Sequence, residues 1–515
     1  MSAFLLGWGR ALPFQQEFST MQETTFSRFR ELAATGKVVP VFREICGDME
    51  TPVSVLERFV DDDNVVLLES VEGGELPARY SFLGVNPHGL FQVEDGVPVR
   101  ISQGRREKLP FQGNPLGALR DIIGGEPVAV DEALPPLPGG AIGYLAYEAV
   151  GLFEDLPKPK APLDCPECSF LLTDEIIAFD NRRHTIKVII NVHTSRHSSL
   201  EEAFNYAQER LSALTARINR PVERHISVCP GFHVEMKPVM EKEAFLEMVR
   251  KAKEHIVEGD IIQVVPSQAF QGESDIHPFL FYRALRLINP SPYMFYLKLG
   301  RRTLVGSSPE TLVKLQDGVS EVRPIAGTRP RGANPQADKA LEESLLADEK
   351  ERAEHLMLVD LGRNDIGRTA RPGSVEVSRF MHVERYSHVM HLVSNVTGRL
   401  REGCDAFDLV ASAFPAGTLS GAPKIRAMEI IHELEPAPRG VYGGAVGYFS
   451  YDGNMDLAIV IRTLEVCQGQ GRGRLKVQAG CGVVADSVPE TEYQETLNKA
   501  RALFKAVEFA EGGLR

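Results

Sequence analysis

The chain has 515 residues, 43% of them hydrophobic and 25% charged, with a formal net charge of −13 at pH 7. This length predicts two domains or one large composite domain rather than one ordinary core. The acidic balance argues against nucleic acid as the main partner, and no run approaches the roughly 18 apolar residues of a membrane span.

The seven cysteines follow no disulfide-like spacing, which favours a reducing, cytoplasmic compartment. Residues 1–20 lack the features of a secretory signal and are interpreted as an N-terminal extension, with Met21 as an alternative start. Residues 21–192 are predicted as an N-terminal, strand-rich region in which Asp95-Gly96 marks a hairpin.

Residues 193–238 are predicted as a helix, capped at Ser198 or Ser199, followed by a connector rich in Pro, Arg and His. Residues 239–508 form the C-terminal region, which opens with an amphipathic helix and carries further hairpin signals at Asp317-Gly318 and Asp452-Gly453. Long helices alternate irregularly with hairpins, which predicts a mixed α+β fold with large antiparallel sheets.

One stretch occurs twice. "GGAIGYLAYE" (Gly139–Glu148) resembles "GGAVGYFSYD" (Gly443–Asp452), and each precedes an apolar strand. Two interpretations stay open: a chance match between glycine-rich strands, or a fold of two related halves of which one keeps the catalytic machinery.

Two stretches carry paired glutamates at helical spacing. Glu351 and Glu354 share one face of a predicted helix. Glu492 and Glu495 repeat the pattern on a second helix with start signals at Ser487 and Pro489. Taken alone, most such pairs face water, but two pairs that converge would suit one hard cation such as Mg²⁺.

Two further stretches suit an anionic ligand. "EVRPIAGTRPRG" exposes backbone at Gly327 and a hydroxyl at Thr328 among arginines 323, 329 and 331, although a basic loop on an acidic protein is an equally good interpretation. Arg462 interrupts the apolar strand "LAIVIRT" and needs a carboxylate partner, from the protein or from a substrate.

Five ordered motifs make these observations specific: "PIAGTRPRG", "DEKERAEHLMLVDLGRNDIGR", "SGAPKIRAMEII", "GGAVGYFSYDGNMDLAIVIRT" and "QAGCGVVADSVPETEYQET". Together they resemble the chorismate-utilising enzymes over residues 240–505, and "LLES" with "ARYSFLG" resembles a regulatory region of that family. The resemblance implies antiparallel sheets packed as a sandwich with helices outside, and residues 239–508 as a chorismate-binding catalytic domain.

The resemblance also implies roles for individual residues. Glu354 and Glu495 would ligate Mg²⁺ directly, while Glu351 and Glu492 would hold its waters. Substrate-binding positions would be Gln263, Gly327, Thr328, Tyr442, Arg462, Gly480, Gly482 and Lys499. Catalytic positions would be Glu310, as the acid that protonates a departing hydroxyl, His391, as an aid to elimination, and Thr328.

Two positions distinguish the reactions that members of this family catalyse. Members that add water carry a lysine base where this chain has Gln263, and aminodeoxychorismate synthases tend to carry a lysine nucleophile where this chain has Ala326. Direct attack by ammonia remains, which implies conversion of chorismate to anthranilate and pyruvate, the first committed step of tryptophan biosynthesis. An aminodeoxychorismate or aminodeoxyisochorismate synthase is the alternative.

The chain shows no glutaminase signature, so the resemblance implies a separate glutamine amidotransferase subunit, in a heterodimer or heterotetramer. It also implies feedback inhibition by L-tryptophan. Ser70, on the "LLES" stretch with Leu68, would bind the inhibitor's ammonium, and Pro290, Tyr293, Met294 and Phe295 would enclose the indole.

Other classes fit less well. A degenerate, metal-free regulatory protein would lack at least one of the four glutamates or Arg462, and all are present. Cys165 and Cys168 form a single CxxC without a second metal-ligand pair, which disfavours zinc. "SGAPKIR" lacks the glycine-rich phosphate loop of a kinase.

Overall fold

The computed structural model describes residues 21–71, 79–222, 233–386, 389–469 and 472–514. The predicted extension at 1–20, part of the connector at 193–238 and His388 lie outside these ranges. The helices are α1 Phe26–Ala33, α2 Pro52–Leu56, α3 Gly117–Gly124, α4 Leu200–Ile218, α5 Lys242–Glu258, α6 Pro278–Ile288, α7 Pro335–Ala347, α8 Glu349–Gly367, α9 Ala406–Ala413, α10 Lys424–Leu434 and α11 Pro489–Glu511.

The strands of the N-terminal part of the chain are β1 Val38–Cys46, β2 Asn64–Glu69, β3 Tyr80–Val85, β4 Gly89–Glu94, β5 Val97–Ser102, β6 Arg105–Lys108, β7 Gly140–Leu145, β8 Cys168–Thr173, β9 Glu175–Asp180 and β10 Thr185–His193. Those of the remainder are β11 Lys237–Pro238, β12 Gln263–Val264, β13 Ser267–Ser274, β14 Tyr293–Leu299, β15 Arg302–Ser308, β16 Thr311–Gln316, β17 Val319–Val322, β18 Ile325–Pro330, β19 Glu376–Arg385, β20 Val389–Arg399, β21 Gly421–Ala422, β22 Ala445–Ser450, β23 Met455–Ile459, β24 Thr463–Cys467 and β25 Gly473–Gly480.

Local sequence signals account for many of these boundaries. Ser199 caps α4 by accepting the backbone N–H of Glu202 at 3.1 Å. All three predicted Asp-Gly hairpins form, between β4 and β5, β16 and β17, and β22 and β23. At the first, Asp95 and Gly96 both adopt positive φ angles, of 50° and 72°, as a tight hairpin turn requires.

Two large antiparallel sheets organise the described chain. The first sheet has the strand order β1-β10-β9-β3-β2-β14-β15-β24-β25-β13-β11, and the second β18-β20-β17-β16-β23-β22-β7-β8-β4-β5-β6, with β19 against β20. One apolar cluster fills the space between the sheets. Two more pack helices against the outer faces, α1, α2, α4, α6 and α11 on the first sheet and α3, α8, α9 and α10 on the second. The predicted α+β fold, with large antiparallel sheets in a sandwich and helices outside, is confirmed.

The strand order divides each sheet into two matching halves. Outward from the β2–β14 contact, the first sheet runs β2, β3, β9, β10, β1 on one side and β14, β15, β24, β25, β13 on the other. Outward from the β7–β22 contact, the second runs β7, β8, β4, β5, β6 and β22, β23, β16, β17, β20. Both regions that the sequence delimits, 21–192 and 239–508, therefore contribute strands to each sheet. Their division into domains stays a prediction.

The repeated glycine-rich stretches lie side by side at the junction of the halves. β7 pairs with β22 antiparallel, and Gly143 is opposite Gly447. A Cβ atom would lie 2.0 Å from the Ser169 carbonyl oxygen at Gly143 and 1.9 Å from that of Asp456 at Gly447. The motif repeats glycine because backbone passes too close at both positions for any side chain. The match favours two related halves over chance.

The chain crosses between the sheets at two points that matter for function. It leaves β15 of the first sheet for β16 of the second through Pro309 and Glu310, and returns from β23 to β24 through residues 460–462. The interpretation of "LAIVIRT" as one strand is wrong, because β23 ends at Ile459, β24 begins at Thr463, and Arg462 lies between them with a φ of 48°. None of the described helices combines the length and apolarity that crossing a bilayer requires.

Candidate active site

One cavity of about 610 Å³ gathers most of the candidate residues. Its lining includes Gln263, Pro290, Glu310, Gly327, Thr328, Glu351, Glu354, His391, Tyr442, Arg462, Gly480, Gly482, Glu492, Glu495 and Lys499. A larger cavity, of about 760 Å³, lies between residues 147–167 and α10 and contains none of them. The smaller cavity is the candidate site because it brings remote polar motifs together, whereas size alone carries no chemistry.

Glu310 lies on the cavity wall at the first crossing between the sheets. Its carboxyl oxygen Oε1 accepts the Thr418 hydroxyl at 2.9 Å. Burial raises the pKa of Glu310 to about 7, against smaller lowering effects of Thr418, Lys499 and Arg462. A carboxyl group with this pKa is partly protonated near neutral pH and can serve as a general acid.

Arg462 lies at the second crossing and faces the same cavity. Burial lowers the pKa of its guanidinium, with the charge of Glu310 acting in the opposite direction. Within the described chain the guanidinium has neither a hydrogen bond nor an ion pair, whereas the fully buried guanidinium of Arg439 has both. Because a buried cation needs a partner, Arg462 suits an anionic group of a ligand.

His391 on β20 is held by the β18 strand. Its Nδ1 lies 3.0 Å from the carbonyl oxygen of Gly327 and 3.1 Å from the hydroxyl of Thr328. A carbonyl can only accept, so Nδ1 carries the proton and Nε2 is the acceptor, with no hydrogen-bond partner among the described residues. Burial lowers the pKa of His391, which keeps the imidazole neutral and able to take up a proton.

Gly327 occupies a bulge between β18 and β20 with a φ of 65°. A Cβ atom here would come within 3.2 Å of Oε2 of Glu351 and 3.0 Å of a methyl group of Leu345. Glycine therefore lets the strand turn its carbonyl towards His391 and bring its backbone close to the acidic helix α8.

Tyr442 and the end of β25 form the opposite wall. A Cβ atom at Gly480 would lie 2.8 Å from the Tyr442 hydroxyl, and one at Gly482 would lie 2.7 Å from Nε2 of Gln263. Burial raises the pKa of Tyr442, so its hydroxyl stays a hydrogen-bond donor. Lys499 donates to the Gly480 carbonyl oxygen at 3.0 Å and pairs with Glu495 at 2.7 Å.

The two glutamate pairs reach the cavity from different helices, α8 and α11. Burial, followed by the charge of Glu351, raises the pKa of Glu354, and Glu495 adds to that effect. Burial also raises the pKa of Glu492, against smaller lowering effects of Ser487 and Cys481, and its Oε2 is buried with no hydrogen-bond partner among the described residues. Burial and crowding thus disfavour the charged form of both groups, and a cation would relieve this.

The carboxylate oxygens of Glu351, Glu354, Glu492 and Glu495 do not lie as close to one another as the ligand atoms of a bound metal ion would. Among the described residues, the one group of three or more such side chains with ligand atoms within 4.8 Å of one another is His255, Glu258 and Asp260. Glu351 lies 3.3 Å from Arg329, and Glu495 is paired with Lys499. The donor set still fits a hard cation, because it offers carboxylate oxygens around a polar cavity, one of them buried and unpartnered.

The arginines of the "EVRPIAGTRPRG" stretch are occupied within the protein. Arg329 pairs with Asp348 at 2.7 Å, Arg331 pairs with Asp338 at 2.9 Å, and Arg323 pairs with Glu384. Of the features that suggested an anion site here, only the Gly327 backbone and the Thr328 hydroxyl face the cavity. The basic-loop interpretation fits the three arginines.

The candidate inhibitor segments lie together, beside the catalytic cavity. β14 pairs with β2, which sets Phe295 opposite Leu68, and Val71 N–H lies 3.4 Å from the Ser291 carbonyl oxygen. Met294 and Phe295 point to opposite faces of the sheet, into separate clusters, so one ligand cannot be enclosed by both side chains. Residues 289–292, between this region and the cavity, form part of the cavity wall.

Sequence reasoning missed Thr418 and Gln478, which also line the cavity. Thr418 lies two residues before the "SGAPKIR" motif, and that proximity was the available signal. Gln478 donates to the Ser267 hydroxyl at 2.9 Å from a strand whose pattern is otherwise that of ordinary buried sheet.

Comparison with known proteins identifies the family of the chain. The family model described as chorismate binding enzyme matches residues 77–505. The anthranilate synthase component 1 proteins of Acetivibrio thermocellus and Pseudomonas aeruginosa are each 46% identical, over 94% of this chain and 98% of their own length. The crystal structure of anthranilate synthase component I from Streptococcus pneumoniae matches with a TM-score of 0.74 and 39% identity, over 85% of this chain and 94% of that one.

The chain therefore belongs to the family of chorismate-binding enzymes, a family that needs a metal ion. Within it, the relatives that cover nearly the whole chain carry the name anthranilate synthase component 1, a chorismate-utilising lyase of the tryptophan pathway. For those proteins the name implies a second component.

Proposed function

We propose that this chain is the large subunit of an anthranilate synthase and converts chorismate and ammonia to anthranilate and pyruvate. The observation that carries the proposal is the meeting, in one cavity, of three groups: a carboxyl group with a pKa of about 7, a partly buried guanidinium and an imidazole whose Nε2 can accept a proton. Neither the guanidinium nor Nε2 has a partner among the described residues. A proton donor, an anion clamp and a proton acceptor are the groups that amination followed by elimination requires.

The dianionic substrate has two carboxylates, and the cavity offers a site for each. Arg462, with the hydroxyl of Tyr442 and the backbone near Gly480, would bind the pyruvyl carboxylate through charge-assisted hydrogen bonds. Glu354 and Glu495, with Glu351 and Glu492 beside them, would hold Mg²⁺, which would supply the positive charge that lets the ring carboxylate bind against this acidic wall. Lys499 adds positive charge on the same side.

The residues then perform two proton transfers. Ammonia, already nucleophilic, adds at C2 of chorismate, and Glu310 protonates the hydroxyl that leaves from C4 as water. Pyruvate then leaves, and the C2 proton is lost with the help of Nε2 of His391. Ala326 cannot form a covalent adduct and Gln263 cannot activate water, so neither competing reaction of the family has its catalytic group.

Ammonia would come from glutamine through a separate amidotransferase subunit, and the complex would work in the cytoplasm. The absence of disulfides among the six described cysteines, three of them buried, suits that compartment.

L-tryptophan would act as the feedback inhibitor through the region of Leu68, Ser70, Pro290, Tyr293, Met294 and Phe295. Leu68, Tyr293 and Phe295 lie on one face of the sheet and Met294 on the other. The 289–292 turn supports this coupling, because it touches the candidate inhibitor region on one side and the catalytic cavity on the other. Ser70→Arg should keep activity and lose inhibition, and a variant as sensitive to tryptophan as the wild type would remove Ser70 from the inhibitor site.

The decisive experiment is product analysis with the purified chain, chorismate, Mg²⁺ and an ammonium salt, with and without EDTA. Anthranilate, recognised by its fluorescence and mass, should form only when free Mg²⁺ is present. Formation of aminodeoxychorismate instead would identify the alternative enzyme, and no turnover would contradict the proposal.

A further inference from the structure

Three residues before Tyr442, Arg439 forms the centre of a buried network. Its side chain is 1% exposed, and its guanidinium contacts Glu435 through three hydrogen bonds, the shortest of 2.7 Å. The same guanidinium donates to the Leu419 carbonyl oxygen at 2.7 Å and to the Val265 carbonyl oxygen at 2.6 Å. Four of the five N–H groups of the guanidinium therefore have acceptors within the protein.

Several of the groups tied by this network line the catalytic cavity. Val265, Leu419 and Tyr442 are on its wall, and the Arg439 guanidinium lies 5.7 Å from the centre of the Tyr442 ring. Glu435 accepts both the N–H and the hydroxyl of Ser267 at 2.8 Å, and that hydroxyl accepts from Gln478, another wall residue. The network thus joins three separate chain segments behind the substrate clamp.

The opposite side of Arg439 faces the larger, 760 Å³ cavity. There it lies 4.4 Å from the centre of the Tyr147 ring, and its backbone N–H donates to Glu148 at 2.6 Å. Tyr147 covers the guanidinium on this side, and the directed contacts to Glu435, Leu419 and Val265 fix its position.

We propose that Arg439 is a positioning residue for the substrate clamp, and that Glu435 fixes its guanidinium. Through its bonds to the Val265 and Leu419 carbonyl oxygens and its contact with the Tyr442 ring, Arg439 sets where the Tyr442 hydroxyl lies when the pyruvyl carboxylate binds. This inference rests on the proposed function and assigns Arg439 no contact with the substrate.

The test compares Arg439→Lys with Arg210→Lys, a control from the N-terminal half. Arg210 also binds a glutamate through two hydrogen bonds, to Glu175 at 2.7 and 3.1 Å, far along the chain from any cavity residue. Lysine keeps the charge in both variants but cannot hold two carbonyls and a carboxylate in one plane.

Arg439→Lys should raise KM for chorismate about tenfold to a hundredfold, the loss expected when one hydrogen bond to a charged group is misplaced, with kcat reduced less than threefold. Arg210→Lys should keep KM within twofold, although its thermal unfolding midpoint falls. A folded Arg439→Lys with the KM of the wild type would overturn the inference. If that variant does not fold, Glu435→Gln tests the same prediction with a smaller change.

A double-mutant cycle separates positioning from general destabilisation. If Arg439 acts through Tyr442, Arg439→Lys should change KM less than twofold in a Tyr442→Phe background. If the two substitutions instead multiplied each other's increase in KM, the inference would be overturned. Chorismate affinity, measured by calorimetry with Mg²⁺, gives the same contrast without turnover, so a wild type that binds but does not aminate would contradict the proposed function and leave this test intact.

Discussion

The two matching halves of the molecule differ in what their equivalent crossing residues contact. In the C-terminal half the crossings between the sheets, at β15–β16 and β23–β24, present Glu310 and Arg462 to an open cavity. In the N-terminal half the corresponding crossings, at β3–β4 and β8–β9, carry His88 and Asp174.

The crossing residues of the N-terminal half have hydrogen-bond partners within the protein. Asp174 lies 3.3 Å from His193 and accepts the Tyr451 hydroxyl at 2.8 Å, and His193 in turn lies 2.6 Å from Glu126. Arg462, by contrast, has no such partner within the described chain. The comparison teaches that a binding site here arises where the fold leaves a buried charge unpaired, while a paired charge at the equivalent place contributes only to stability.

The largest contrast in kcat should come from replacing the crossing carboxyl group of each half, Glu310 in the C-terminal half and Asp174 in the N-terminal half. Glu310→Gln should lower kcat with ammonium by about 10³-fold, because a general acid contributes roughly 10²- to 10⁴-fold. Asp174→Asn should leave kcat within twofold. Equal losses in both variants, measured as anthranilate fluorescence, would show that the two sites are not functionally distinct.

Replacing an arginine in each half tests the unpaired charge. Arg462→Met should raise KM for chorismate about a hundredfold, because it removes a desolvated cation that binds a carboxylate. Arg100→Met, which loses a contact to His88 of 2.9 Å in the other half, should keep the KM of the wild type. An Arg462 variant with normal KM would mean that the carboxylate binds elsewhere.

The pH dependence should also distinguish the halves. Since Glu310 must be protonated to act and burial raises its pKa to about 7, kcat should fall about tenfold per pH unit well above pH 7 when free ammonia is held constant. The residual activity of Glu310→Gln should lack this step. A profile that stays flat to pH 9 in the wild type would exclude Glu310 as the acid.

The smallest effect concerns stability in the N-terminal half. Burial acts to lower the pKa of His193, but Asp174 and Glu126 raise it overall, so the interaction stabilises the fold below the unfolded-state pKa and is lost as pH rises through the folded-state pKa. His193→Gln should therefore lower the free energy of unfolding by about 1–2 kcal/mol at pH 5.5 and by less at pH 8.5. Urea titrations at the two pH values check this, and an equal loss at both would contradict it.

Much of the local structure could be predicted because its causes are local. The Asp-Gly hairpins, the Ser199 cap and the glutamate pairs on α8 and α11 all follow from residues a few positions apart. The partners of the strands could not be predicted, since β2 and β7 pair with strands from the other end of the chain.

The candidate site could be predicted only in part, because it too depends on contacts between distant segments of the chain. From the sequence, the arginines of the Arg323–Arg331 segment could have bound an anionic ligand. The carboxylates that pair with them, such as Asp348 and Glu384, come close only in the folded chain. Arg462 looked like part of a strand because its neighbours are apolar, and the change of sheet that exposes it depends on tertiary packing. Thr418 carries no pattern of its own that would mark it as the partner of Glu310.

The contact between β7 and β22 has a consequence for biosynthesis. Each sheet is completed only when a strand made early meets one made late, so the first half emerges from the ribosome before β2 and β7 have their partners β14 and β22. Unpaired strand edges can pair with the wrong neighbour or with another nascent chain. Slow or interrupted translation should therefore harm the yield of this protein more than a change of its surface would.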